Sequence, residues 1–540
     1  MNKIIKNEYY IIFSFIIYFI LGCFIYSDYV VTPDEPLHRI NGFISLKYIS
    51  DFFNLNFDLS SFVENIPDLH TDWRKTYGTA FDLPLSYIEY LFKIHDKSDV
   101  FLLRHFSNFF LFFISSIFFY RIIKKKFNNC FYGLIGFLIL ISTPRIFSQS
   151  FYNSKDIVFL SFFIIGLYYS IKLLNKFSYK NLLLSLFFCA LATNIRILGI
   201  YLPMLVCFFY YFKEKQFKSL TNFKFIILYF FGYFLSLYVI WPYLWSEPIN
   251  NFFSAFSESM NYPSWWKFKV LYFGNYINPE NLPWHYFFFW FFATTPIFIL
   301  FFIISGLIFF LKKFLKYFIS IDLNKDIILW RNKEEMFFLF IFLIFFIPIF
   351  MVIVLNSSMY NGWRHLYFIY PSLIIFIFYL INFFQKNKKI YNLLFFTILI
   401  QVFFNFIFIY KSHPVQNIYF NFFAKKIIKN NFPIDYWGAG NGKSIMYLID
   451  NSLYVPVIST SSYTNLNNLQ YDKKILSHNS KYVFVGTSKV SKKDSNYIFT
   501  NYFYHSSPNK ESKYIIPKEF TSYYKLVIDG ILVNEIFIKK

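Results

Sequence analysis

Two carboxylates stand side by side directly after the first apolar run, in Thr32-Pro33-Asp34-Glu35-Pro36-Leu37-His38-Arg39. The flanking prolines restrict the backbone. A carboxylate held there could accept the proton of a hydroxyl that attacks an electrophile. The same residues suit a plainer task, in which Thr32 or Asp34 caps a helix over 36–50 and acid sits in its first turn. A second acid, Asp156, ends Tyr152-Asn153-Ser154-Lys155-Asp156 just before an apolar helix that begins at Ile157. It too reads as a cap unless it meets Asp34 in space. Two further clusters follow, Leu282-Pro283-Trp284-His285-Tyr286 and Asn361-Gly362-Trp363-Arg364-His365-Leu366-Tyr367. Aromatics at the ends of apolar runs are ordinary interface residues. His285, Arg364 and His365 carry more weight, because ionisable groups at such depths commonly line polar cavities.

Arginine is scarce, with eight in the chain, and six of them (Arg39, Arg74, Arg104, Arg145, Arg196 and Arg364) fall where the topology below puts the outer face. The positive-inside rule disfavours that placement. An anionic ligand at that face, such as a lipid phosphate, would offset it. Arg39 and Arg74 have acids of the first outer loop for company and can pair with those instead. Arg196 and Arg364 have few acids near them in sequence. His285 and His365 could join Glu35 around a metal, but no ligand-spaced motif supports such a site. Gly438-Ala439-Gly440-Asn441-Gly442-Lys443-Ser444 ends like a phosphate-binding loop. The first required glycine is replaced by Trp437, so that reading is rejected.

The elements that position these groups are membrane spans. Of 540 residues, 56% are hydrophobic and 26% aromatic, in runs such as Tyr10–Phe24, Phe225–Trp241, Phe287–Leu311 and Phe337–Leu355 that are long enough to cross about 30 Å of hydrocarbon. The formal charge of +22 would suit a nucleic-acid partner, but the lysines sit in short gaps between apolar runs, as in cytoplasmic loops. Four cysteines without CxxC spacing argue against a disulfide framework or zinc site. Alternating lysine clusters give eleven spans, the first (9–27) uncleaved. The expected fold is a mainly α polytopic bundle over 1–410 with large outer loops at 28–100 and 244–285. An extracytoplasmic α/β domain over 411–540 follows, with strands at Lys481–Val485 and Lys525–Lys540 and a helix over Val415–Lys429. The N-terminus is expected in the cytoplasm. No repeat of 20–50 residues recurs, which disfavours an inverted-repeat transporter.

A carboxylate pair after the first span, a second Asp in the second outer loop and Arg-His opening a late span resemble the GT-C membrane glycosyltransferases. The closest likeness is to the protein O-mannosyltransferase and aminoarabinose transferase branch, in its bacterial members. The segments that carry it are Pro33–Arg39, Trp73–Leu83 with Tyr77-Gly78, Asn153–Phe159, Asn194–Gly199, Leu282–Tyr286, Tyr360–Pro371 and the stretch His413–Gly438. The resemblance implies an inverting transfer from a polyprenyl-phosphate sugar to a hydroxyl acceptor (protein, lipid or glycan) at the outer face of the plasma membrane. Asp34 then matches the base, with Glu35 beside it and Asp156 as the second acid. Arg364, His365, Arg196 and Lys155 fall to the donor phosphate, and Arg39, Arg74, Tyr77, Trp284 and His285 to the substrate cavity. No cofactor is required, and a divalent metal is neither needed nor forbidden. Two rivals stand beside this reading: a non-enzymatic transporter or flippase of a lipid-linked sugar, and a glycan polymerase or ligase. The early carboxylate pair is what separates them.

Overall fold

A computed structural model describes residues 2–216, 222–260, 269–319, 329–428, 431–460, 466–477, 483–486, 495–503 and 516–540. The chain is a multi-pass membrane protein, mainly helical. Seven of its described helices are long and apolar enough to cross a membrane. They begin with α1 (Asn2–Ile25), which leads through an extended stretch to α2 (Glu35–Phe52) and α3 (Asp82–Leu91) of the first loop. Next comes α4 (Lys97–Phe127), whose 31 residues at about 1.5 Å each outreach the hydrocarbon. Its ends follow from sequence. Asp96 accepts from the N–H groups of Ser98 and Asp99, and Lys124, Lys125 and Lys126 close the last turn against the helix dipole.

The following span is broken. α5 (Cys130–Ile141) and α6 (Pro144–Tyr152) meet at 70°, so the pair is one bent span or a re-entrant loop. Pro144 at the first position of α6 cannot continue α5, and the Thr143 hydroxyl donates to the freed carbonyl of Ile139 at 2.9 Å. The break carries Arg145 and Gln149 into the protein interior.

α7 (Asp156–Asn175) is followed by three shorter apolar helices, α8 (Tyr179–Ile195), α9 (Tyr201–Gln216) and α10 (Asn222–Ile240). The second loop holds α11 (Pro248–Met260) and a hairpin of β1 (Val270–Tyr272) and β2 (Asn275–Ile277). α12 (Tyr286–Thr294) then leads to α13 (Ile297–Ile319), α14 (Lys333–Val354), α15 (Tyr370–Phe383) and α16 (Lys388–Ser412). Apolar helices therefore occupy each of the eleven expected positions, seven of them meeting the criteria for a span in one piece.

Beyond α16 the expected helix over 415–429 is absent among the described residues, and Lys429 lies outside them. A 3-10 turn (Gln416–Ile418) and the four-residue α17 (Phe422–Lys425) stand in its place. The polar side chains here bond outward: Gln416 accepts from the Tyr29 hydroxyl, Asn417 donates to Asp435, and Asn421 donates to carbonyls at the end of α12. Such bonds compete with a continuing helix. The terminal region holds α18 (Asn441–Asn451) and a five-stranded mixed sheet in the order β4-β3-β5-β7-β6. Its strands are β3 (Val457–Thr460), β4 (Val483–Gly486), β5 (Tyr497–Thr500), β6 (Phe520–Ile528) and β7 (Ile531–Lys539). Residues 481 and 482 of the first expected strand lie outside the described set.

Candidate functional site

Glu35 and Asp34 divide their labour. Glu35 is buried; its Oε1 accepts from the backbone N–H of Thr32 at 2.7 Å and the Thr32 hydroxyl at 2.9 Å, and its Oε2 lies 2.9 Å from His105 Nε2. It braces the start of α2. Asp34 occupies the cap position, yet its side chain makes no capping hydrogen bond. The capping reading of Asp34 therefore fails. Its carboxylate keeps 31% exposure and lies 4.0 Å from Arg364 Nη1. Burial raises its pKa above the ordinary Asp value, Arg364 works against that rise, and Asp156 and Glu35 reinforce it.

Asp156 is the hub. Arg196 Nη2 donates to its Oδ1, Arg364 Nη1 donates to its Oδ2 at 2.9 Å, and Asn153 Nδ2 donates to the same oxygen at 3.0 Å. Asp156 does no capping: the cap position falls on Lys155, which makes no side-chain capping bond, and Asn153 leads into the helix through a turn in which its Oδ1 accepts from the Asp156 N–H at 2.8 Å. Arg196 reaches the hub because α8 stops one residue before it. Arg364 is aimed by a turn in which Asn361 and Gly362 both have positive φ, 57° and 87°. The Gly362 N–H donates to the Tyr286 hydroxyl at 3.2 Å. Two carboxylates, Asp34 and Asp156, thus face two guanidiniums, and the Lys155 ammonium interacts with Asp82 as well as with this cluster.

Lys155 is buried; its Nζ donates to the Gly78 carbonyl at 3.0 Å and stands 5.3 Å from the Tyr77 ring. Burial lowers its pKa to about 8, with the neighbouring Asp82 opposing. Gly78 is required by contact, because a Cβ there would lie 1.8 Å from the Asn194 carbonyl oxygen. The Asn194 side chain fixes the same loop by accepting from the Ala80 N–H at 2.8 Å.

The other expected site residues are placed differently. Arg39 pairs with Glu89 at 2.8 Å, and Arg104 bridges Glu89 and Asp82. Arg74 grips Asp72 with two nitrogens. Both Arg39 and Arg74 thus follow the plainer reading of local ion pairs, not that of the substrate cavity. The Tyr272 hydroxyl lies 2.8 Å from His285 Nδ1, and Trp284 beside it is exposed. The His365 ring packs edge-on against Tyr360 at 4.6 Å. No group of three or more His, Cys, Asp or Glu fit to hold a metal occurs among the described residues.

The aromatic cover of the site is legible only in three dimensions. The Arg364 guanidinium lies over the rings of Tyr360, Trp437 and Tyr436 at 4.9, 5.0 and 5.3 Å. Tyr436 and Trp437 come from the C-terminal region, where Asp435 accepts from the N–H groups of Ala439 and Gly440 at 3.0 and 2.8 Å. That carboxylate occupies amides which a phosphate-binding loop would offer to its ligand. In sequence only the family likeness of the stretch His413–Gly438 marks these residues.

Fold and site define a polytopic membrane protein with a partly accessible carboxylate beside a carboxylate-guanidinium cluster at the ends of several helices. Residues 88–245 match the sequence model of the family described as dolichyl-phosphate-mannose-protein mannosyltransferase. This stretch, which includes Asp156 and Arg196, is similar to that family, in keeping with the likeness to GT-C glycosyltransferases. No curated protein matches the chain. Among solved structures, ArnT from Cupriavidus metallidurans bound to undecaprenyl phosphate is similar over 98% of this chain and 97% of its own, at 9% identity and a TM-score of 0.44. A likeness that weak carries no functional argument.

Proposed function

We propose that the protein is an inverting glycosyltransferase that moves a sugar from a polyprenyl-phosphate donor to a hydroxyl acceptor at the outer face of the plasma membrane. The observation that carries this reading is the contrast between two acids in one cluster. Asp156 has both oxygens engaged by guanidiniums, whereas Asp34 is free of a capping bond and keeps partial access. The family match over 88–245 supports it.

In this mechanism the acceptor hydroxyl gives its proton to the Asp34 carboxylate as its oxygen bonds to the anomeric carbon. The bond from that carbon to the phosphate oxygen breaks, and its electron pair leaves with the lipid phosphate. The phosphate needs positive charge in a site shielded from water, not a proton. Arg364 and Arg196 supply the charge, Asp156 holds both in place, and Lys155 adds a third cation. Glu35 serves as a brace.

Purified wild type and Asp34→Asn, compared for consumption of a polyprenyl-phosphate sugar, test the reading. Asn keeps the shape, so the fold should persist while turnover drops by about 10²–10⁴. Normal expression with wild-type turnover would leave Asp34 without a role as base. A flippase would instead move donor across a vesicle membrane without cleaving it, and Asp34→Asn would leave that movement intact.

A further inference from the structure

α11 carries its polar and apolar residues on separate stripes. Asn250, Ser254 and Glu258 follow one another at four-residue steps, and Ile249, Phe253 and Phe256 line the neighbouring side. In a helix packed wholly on protein the apolar stripe would be covered. Here Ile249 is 72% and Phe253 65% exposed, and Phe256 is exposed as well. The protein meets a third side instead: Ala255 is buried, and the Phe252 ring packs edge-on against Phe234 of α10 at 5.8 Å.

That last contact fixes the depth of α11. Phe234 stands six residues before Ile240, where α10 ends, and so about 9 Å below the end of that helix at about 1.5 Å per residue. The side of α10 that faces away from the protein, with Phe231, Leu235 and Val239 exposed at four-residue steps, runs up to the same level. Between the two helices, Trp245 Nε1 donates to the Tyr238 carbonyl at 2.8 Å, and its ring meets those of Phe52 and Phe53, both exposed, at 5.3 and 5.9 Å. An exposed apolar surface that continues from an apolar membrane helix onto an amphipathic one, with a tryptophan at the join, matches the boundary between headgroups and hydrocarbon. The polar side turns to protein. Glu258 accepts from the Thr76 hydroxyl at 2.7 Å, and α11 packs against the 3-10 turn Ile197–Ile200 that follows Arg196. No Lys or Arg occurs over 247–260, where Glu247 and Glu258 are the charged residues, so attraction to anionic headgroups has no part in holding the helix.

We propose that α11 is an interfacial helix that seats Ile249, Phe253 and Phe256 in the bilayer leaflet at the C-terminal end of α10, the outer one in the expected topology, by apolar contact alone. The assignment stands apart from the glycosyl-transfer reading, since it needs only the membrane class of the chain.

The test uses the full chain in phosphatidylcholine nanodiscs, with the partly exposed Cys23 and Cys130 changed to Ser. A nitroxide label is placed in turn through Ile249→Cys, Phe253→Cys and Asn250→Cys. Power saturation compares collisions with oxygen, which concentrates in hydrocarbon, against collisions with a water-soluble nickel chelate. Oxygen should prevail at 249 and 253, at a depth of about 5–10 Å into the boundary, and nickel at 250. Adding anionic lipid should leave that depth unchanged. Because a label can itself seek lipid, Phe253→Asp is added to the Ile249→Cys chain, where it should lift the helix and lower the oxygen preference at 249. Prevalence of nickel at 249 and 253 would put the stripe in water and overturn the assignment. Low access to both reagents with dipolar broadening between labels would overturn it in favour of a second copy of the chain. A seat reached only with anionic lipid, or an oxygen preference at 249 that Phe253→Asp leaves untouched, would overturn the apolar contact proposed.

Discussion

Asp34 and Asp156 are the same side chain in opposite circumstances, and their neighbours set the difference. A carboxylate gripped by two guanidiniums and an amide is held as a fixed anion, while one at 4.0 Å from a single guanidinium can still exchange a proton. A base acts unprotonated, so turnover should fall as pH drops through the pKa of Asp34. Burial raises that pKa, placing the acid limb above the ordinary Asp value of about 4. Lys155 acts as a cation, so a second fall is expected as pH rises through about 8. A bell-shaped profile should result, and Lys155→Met should lower the maximum and remove the alkaline limb. A profile flat from pH 4 to 9 would contradict both assignments. Arg364→Gln removes the charge that opposes the rise at Asp34, so its acid limb should move to higher pH. Arg364→Lys keeps the charge and loses the planar fork, and should raise the donor KM more than it lowers kcat.

At the scale of elements, the site depends on where helices stop. α7 begins on the Asn153 turn, α8 ends just before Arg196, and the Asn361-Gly362 turn releases Arg364. Asn153→Ala should cost about 1–3 kcal/mol by leaving buried partners unbonded, since Asn153 bonds both the Asp156 N–H and its carboxylate. It should also lower turnover, because Asp156 loses one of its three holders; thermal unfolding and kinetics of the same preparation separate the two effects. Gly78→Ala is the sharper case. Its added methyl would meet the Asn194 backbone at 1.8 Å, so the loop bearing the Lys155 acceptor must shift. A lowered melting temperature with reduced activity is expected, and wild-type values for both would show that the loop gives way without consequence.

At the scale of the molecule, the C-terminal region is packed onto the segment that presents Asp34. Val30 lies in the same core cluster as Ile445 and Leu448 beneath α18. Asn468 Nδ2 donates to the Thr32 carbonyl at 3.0 Å, and His413 Nε2 lies 2.7 Å from Asp28. Deleting residues 441–540 should therefore abolish turnover and lower thermal stability, even though Asp34, Asp156 and Arg364 all remain. A fully active truncation would show that this region is dispensable. Since this region packs around the segment that presents Asp34, it should share its side of the membrane. A reporter fused after residue 430 is expected to behave as extracytoplasmic.

The sequence by itself determined the membrane class, the positions of the apolar helices and the residue types at their ends. Those properties follow from local hydropathy and charge, which act over tens of adjacent residues. It could not say which of two adjacent acids would be bonded as a brace and which left partly accessible, because Asp34 and Glu35 differ only in what lies across the fold from them. It separated Arg39 and Arg74, which have acids of the first outer loop at hand, from Arg364, but it could not name the partner of Arg364, since Asp156 is 208 residues away. The aromatic roof of Tyr436 and Trp437 was likewise hidden. Long-range contacts between loops leave no period in the chain, so only the tertiary structure could bring those groups together.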